Sequence, residues 1–119
     1  MNKIKIYHFS NSNFTGHVEP KFFGGNFYSR NSERISNVKR CYFYTDISSF
    51  IIEQRFLASY YLYISEIDRG LLYDLDSNEI KNFKDIYESA KKLGYKGIIK
   101  DKIVALFYSA KIIKKEKND

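Results

Sequence analysis

Short runs of aromatic and β-branched residues, broken by polar turns, recur along this 119-residue chain and limit its fold more than any other feature. Three of them carry the residues with chemistry. The first is Ile6-Tyr7-His8-Phe9-Ser10, the second Cys41-Tyr42-Phe43-Tyr44-Thr45-Asp46, and the third a closing block from Leu93 to Phe107. Such runs favour pleated strands, in which successive side chains point to opposite faces. Ile4, Ile6 and His8 therefore share an apolar face of the first strand, and Lys5, Tyr7 and Phe9 share the other. Tyr42 and Tyr44 point together, with Phe43 opposed to them. A histidine, aromatic hydroxyls and a late carboxylate this far apart in sequence meet in one cleft only through folding.

The segments between these runs set the architecture. An Asn-, Ser- and Gly-rich loop spans Asn11 to Gly16, and the single proline, Pro20, precedes Phe22-Phe23-Gly24-Gly25-Asn26-Phe27-Tyr28. Gly24-Gly25 lies between aromatic residues, not between a strand and a helix with further spaced glycines, so it reads as a tight turn and not as a dinucleotide or P-loop fingerprint. Ser29 to Lys39 is polar and reads as a mobile connection. Asp46 suits a helix N-cap, and Ile47, Phe50, Ile51 and Leu57 supply an inner stripe for the helix after it. Tyr60 to Ile67 reads as a further aromatic strand, and Leu71 to Leu75 as either a strand or a lid-like extended segment. The clearest helical signal is the apolar stripe Ile80, Phe83, Ile86, Tyr87 and Ala90 between Glu79 and Leu93. Asp76 and Glu79 match a capping box there, and Gly94 stands where a left-handed C-terminal residue is wanted. Tyr95 to Ile99 and Ile103 to Tyr108 follow as strands joined at Lys100-Asp101-Lys102, and Ala110 to Ile113 extends the sheet. Many short strands around two main helices, without regular βαβ alternation, predict a single α+β domain over residues 1–119.

Hydrophobic residues at 44% and aromatics at 18% suffice for one core in a chain of this length. Twenty Lys and Arg against fourteen Asp and Glu leave a net charge of +6, which favours encounter with acidic proteins, nucleotides or nucleic acid. Part of the surplus, Lys111, Lys114, Lys115 and Lys117, reads as a solvated basic tail from about residue 111. A single cysteine, Cys41, leaves no intrachain disulfide within these residues, and two His with one Cys make no zinc-ligand cluster. Met1 to Ile6 alternates polar and apolar residues, unlike a secretory signal, and no segment approaches the ~18 apolar residues of a membrane span. A metal-free cytoplasmic protein without a membrane partner is the expectation.

The candidate residues each have a functional and a plain reading. A neutral imidazole at His8 holds one donor and one acceptor in a fixed plane and so orients a ribose or diphosphate; a satisfied core histidine is the plain role of the same residue. Tyr42, Phe43 and Tyr44 either fill a core or stack on an adenine or nicotinamide ring. Glu33, Glu66, Asp68, Asp74, Asp76 and Asp101 are spread over loops and turns, and acid–base work requires one of them folded into reach of a reacting atom. Interleaved aromatics and lysines also suit a platform for single-stranded nucleic acid, although no RNP motif is present. No serine or cysteine has an activating neighbour in sequence.

Taken in order, Tyr7-His8-Phe9-Ser10, Tyr42-Phe43-Tyr44-Thr45-Asp46, Leu93-Gly94-Tyr95-Lys96-Gly97-Ile98 and Val104-Ala105-Leu106-Phe107 resemble the small ADP-ribosyltransferase-like domains of phages and mobile elements. The resemblance runs through Gly24-Gly25, Glu33-Arg34 and Leu72-Tyr73-Asp74-Leu75 and covers most of the chain. It implies a split antiparallel or mixed β core that clasps NAD, breaks its nicotinamide–ribose bond and passes ADP-ribose to a protein, a nucleic acid or water, here a host protein or nucleic acid. With the small size and basic surface, the same resemblance implies an effector directed at a bacterial defence or information-processing component. Carried onto this sequence, it implies that His8 holds the ADP-ribose part, with Tyr7, Ser10, Gly24, Gly25 and Thr45 as further NAD contacts. The Tyr44 ring would pack near nicotinamide. Where relatives carry a catalytic glutamate this chain has Asp101-Lys102, and an ammonium there opposes the positive charge that builds on the ribose carbon. The acid is then Asp101 or Glu33, acting with Tyr44, and no metal is implied. That departure sustains a second reading, a domain that binds a protein or nucleotide and leaves NAD intact. A third is a basic nucleic-acid-binding module. The transfer reading requires His8 and Tyr44 to share one cavity.

Overall fold

In the computed structural model, which describes residues 2–24, 36–46, 61–75 and 86–117, strand alternation decides which side of the sheet becomes core. Strand β1 (Lys3–Ser10) buries Ile6 completely and pairs along its whole length with antiparallel β5 (Tyr61–Asp68), from Lys3 opposite Asp68 to Ser10 opposite Tyr61. The remaining strands are β2 (His17–Val18), β3 (Phe22–Gly24), β4 (Ser36–Tyr44), β6 (Leu72–Asp74), β7 (Gly97–Lys100), β8 (Ile103–Leu106), β9 (Ala110–Lys111) and β10 (Lys114–Lys117). One sheet runs in the order β10-β5-β1-β4-β8-β7-β6, with β3 added beside β4 and β2 paired to β9 as a separate ribbon. Its neighbours are antiparallel except β6 and β7. That parallel pair needs a crossover, and the connection contains helix α1 (Ile86–Lys92).

Directly paired residues share a face, so the registers sort the core into two layers. On one face Ile6, Cys41, Phe43, Tyr63, Ile99, Val104 and Leu106 pack together, covered by Val18 of β2 and Ala110 of β9. On the other, Ile98, Ala105 and the partly buried Tyr42 and Tyr73 pack against Ile86, Tyr87 and Ala90 of α1. Helix α1 ends in a Schellman motif: Gly94 at φ 94° donates to Lys91 O at 3.1 Å and Tyr95 donates to Ala90 O at 3.1 Å.

Several expectations are corrected here. The fold is predominantly β, with one α-helix among the described residues, and not an α+β arrangement with two main helices around a split core. Among the described residues, aromatic and branched runs paired across long sequence separations make up most of the structure. The stripe ending at Ala90 does form a helix over Ile86–Lys92, while the Asp76–Glu79 box, Ile80 and Phe83 lie outside the described residues, as does the helix expected after Asp46. Of the two readings left open for Leu71 to Leu75, the strand is the one found, over Leu72–Asp74, because its edge pairs with β7. The polar connection assigned to Ser29 through Lys39 gives way to β4 from Ser36 onward. The basic tail is likewise ordered: Lys114–Lys117 forms the edge strand on β5, with Ile113 donating to Ile64 O at 2.8 Å. Three lysines in four residues suit such an edge because they discourage further strand addition. Ala110–Lys111 pairs with β2 and does not extend the main sheet.

Candidate functional site

β4 changes partner midway along one edge, and that change opens a cavity. Near its end β4 meets β1 at a single registered pair, Tyr7 opposite Tyr44, and near its start it meets β3, with Phe22 opposite Arg40. Over Cys41, Tyr42 and Phe43 neither strand stands in register on this edge. There the main-chain oxygen of Tyr42 is taken by a side chain, with His8 Nδ1 at 2.6 Å. A cavity of about 280 Å³ occupies the opening, lined by His8, Ser12, Phe14, Glu19, Lys21 and the β4 residues Arg40, Cys41 and Tyr42.

A carbonyl oxygen only accepts, so Nδ1 carries the proton and the neutral ring keeps its lone pair on Nε2. The imidazole lies among the rings of Phe43, Phe14 and Tyr63, at centroid distances of 5.3, 5.9 and 6.2 Å. Burial in these surroundings lowers its pKa below the ordinary histidine value, and the bond to Tyr42 O only partly offsets this. The ring is therefore an oriented, uncharged acceptor at neutral pH. The loop over it is fastened by Tyr63, whose hydroxyl donates to Ser12 O at 2.5 Å and accepts from Phe14 N–H at 2.7 Å. Lys115 adds bonds to Asn13 Oδ1 and Phe14 O. Burial pushes the Cys41 thiol up to about 12, so at this cavity it is a protonated packing group and not a nucleophile.

Tyr42 is also gripped on the far face of the sheet. Its hydroxyl accepts from Arg40 Nε at 2.7 Å and lies 3.1 Å from the Tyr87 hydroxyl. The fully buried Arg40 guanidinium stands 4.0 Å from the Tyr87 ring centroid and donates to Val38 O at 3.0 Å. Arg40 thus positions the strand whose carbonyl fixes His8. Sequence reasoning passed over it, although its place two residues before Tyr42 puts it on the same face as Tyr42 and Tyr44.

The other expected site residues lie elsewhere. Tyr44 and Tyr7 sit opposite each other on the face away from His8, because neighbouring positions in a strand alternate. The Tyr44 ring packs edge-on to Phe9 at 5.9 Å. Thr45 donates from N and Oγ1 to Lys102 O at 2.9 and 3.3 Å, and Lys102 pairs with Asp46 at 3.6 Å. Asp101 and Lys102 form the exposed two-residue turn between β7 and β8, with φ of 50° and 65°. Neither Tyr44, Thr45 nor Asp101 borders the His8 cavity. Ser10 ends β1 and accepts Ser12 N–H at 3.0 Å. Gly24 occupies a paired strand position opposite Ser36 and not a tight turn. Gly25 and Glu33 lie outside the described residues. An NAD molecule clasped between His8 and Tyr44 does not fit this arrangement, since the sheet itself separates the two side chains.

A second opening lies where the ends of β5, β8 and β9 converge. It measures about 290 Å³ and is lined by residues that include Lys3, Glu66, Asp68, Lys96, Tyr108 and Lys111. No expectation from sequence had singled out Tyr108. Among the described residues no helix is long and apolar enough to cross a membrane, and no group of three or more His, Cys, Asp or Glu is placed to hold a metal ion. No protein-family model, curated protein or solved structure matches this chain, so its functional reading rests on its own residues.

Proposed function

We propose that this domain binds a nucleotide at the His8 cavity and leaves it chemically intact. The observation that carries the reading is the 2.6 Å bond from His8 Nδ1 to Tyr42 O, which orients a neutral ring and reserves Nε2 as acceptor at a cavity of about 280 Å³. A ribose hydroxyl donates to such an acceptor. Lys21 supplies the positive charge for a phosphate, Glu19 accepts from a second hydroxyl, and the Phe14 ring offers an apolar wall. The resemblance to ADP-ribosyltransferases implies cleavage with an aromatic ring and hydroxyl beside nicotinamide; Glu19 offers a carboxylate at this cavity, but Tyr44 and Asp101 do not border it, and Glu33 lies outside the described residues. Binding without transfer is therefore favoured over ADP-ribose transfer.

The test is calorimetric titration with ADP-ribose and with NAD at neutral pH. Saturable binding is expected, abolished by His8→Ala and weakened by Lys21→Ala, an exposed substitution that spares the core. NAD should be recovered whole. Absence of saturable binding, or binding indifferent to both substitutions, overturns the assignment, and release of nicotinamide would restore the transfer reading.

A further inference from the structure

The opening at the ends of β5, β8 and β9 has a different chemistry from the His8 cavity. Two main-chain bonds tie three segments beside this opening: Phe107 N to Lys96 O at 2.9 Å and Lys96 N to Leu71 O at 2.8 Å. Tyr108, 48% exposed, and Leu71, 37% exposed, both line it. An aromatic ring left half in water at a concave site is an unused stacking surface. The ammonium groups of Lys91, from α1, and Lys96 each lie 6.0 Å from the Tyr108 ring centroid. Lys3 and Lys111 line the same opening. Among the described residues none of these four lysines enters an ion pair with a carboxylate. Glu66 and Asp68 line the opening as well, Asp68 opposite Lys3 across the β1–β5 pair and accepting Gly70 N–H at 2.9 Å, so the four lysines outnumber the acids two to one. The surface is thus basic around an exposed ring.

We infer that this surface binds single-stranded nucleic acid, with one base stacked on Tyr108 and the flanking phosphates met by Lys3, Lys91, Lys96 and Lys111. Charge complementarity selects a polyanion, and the ring selects one that presents flat aromatic faces between its charges. The opening of about 290 Å³ is local, so the rest of the strand runs over the lysine rim. An acidic peptide satisfies the charges but has no use for the ring. This inference does not depend on nucleotide binding at His8, which lies in a separate cavity.

Fluorescence anisotropy of labelled oligothymidylate, titrated with the full chain at several salt concentrations, tests it. Four phosphate contacts at about 0.7 counterions each predict an affinity that falls about 50-fold for a fourfold rise in salt. Tyr108→Ala should weaken binding by about 5- to 150-fold, the range for losing one stacked base, without changing the salt slope. Lys91→Ala and Lys96→Ala should each flatten that slope. All three substitutions are at exposed positions, and circular dichroism confirms folding. No saturable binding at low salt overturns the inference. So does a Tyr108→Ala protein that binds like wild type, which would leave only a non-specific basic surface, and so does equal competition by polyglutamate, which would assign the surface to acidic proteins.

Discussion

Replacing Gly97 with alanine probes the packing on which the sheet's far edge depends. Gly97 is buried between Leu72 of β6 and Leu106 of β8, and each is its registered partner. A Cβ added there would lie 2.4 Å from Ala105 O, 2.9 Å from Leu106 Cδ2 and 3.0 Å from Leu72 Cδ2. The nearest atom belongs to the main chain, so no rotamer change relieves it. To restore ordinary contact β7 must withdraw from β8 by about 1 Å, a displacement that lengthens a neighbouring ladder bond to near breaking. Overpacking of this kind costs about 1–3 kcal/mol and a lost main-chain hydrogen bond about 1 kcal/mol. Restricting the unfolded chain returns about 0.4–1 kcal/mol. The net expectation is a loss of about 2–3 kcal/mol.

Thermal denaturation followed by circular dichroism reads this directly. An unfolding entropy of about 2.1 cal/mol/K per residue corresponds to about 4 °C per kcal/mol for a chain of this size, so the midpoint should fall by about 10 °C. Trimming Leu106 or Leu72 to alanine in the same protein should not rescue it, because the main-chain oxygen stays in place. Gly16→Ala is the contrast: nothing lies within 4 Å of its added Cβ, and its φ of +79° is the sole obstacle. That substitution should cost about 1 kcal/mol. A Gly97→Ala protein within about 0.5 kcal/mol of wild type, the range of an ordinary surface change, would mean that β7 is not held against β8 and β6 as described.

Two further outcomes follow from single residues. His8 is held neutral by burial, so the unfolded chain takes up a proton before the folded one does, and stability should be flat above the unfolded histidine value of about 6.5 and decline as pH falls below it. Urea unfolding across that range should show the decline in wild type and a shallower one in His8→Gln; identical slopes would remove His8 as the cause. Lys102 is held at φ 65° in the two-residue turn, and Lys102→Gly should raise the urea midpoint, since relief of about 1–2 kcal/mol outweighs the added freedom of the unfolded chain. The exposed pair with Asp46 that it removes contributes little, and a lowered midpoint would contradict the turn geometry.

Local chemistry was legible wherever it depended on near neighbours. The hairpin at Asp101-Lys102, the strands around Ile6, Phe43 and Tyr63, and the left-handed Gly94 after α1 all follow from residue type and spacing over a few positions. The edge strand at Lys114–Lys117 was not legible, because its lysine-rich pattern is that of a solvated tail until β5 supplies partners. The same holds for the site. His8 stood out as a lone imidazole on an apolar strand, but its tautomer is fixed by Tyr42 O, an acceptor thirty-four positions away.

By itself the sequence determined the strand-forming runs, the alternation of side chains within each of them, the excess of positive charge and the single buried-type thiol, since these depend on composition and on contacts between near neighbours. Only the tertiary structure decided which faces the residues share. The register of β1 against β4 sends Tyr44 to one side of the sheet and His8 to the other, and the exchange of partners along β4 opens a cavity at the imidazole. Strand pairing is a long-range choice, and a shift of one residue would have reversed every face.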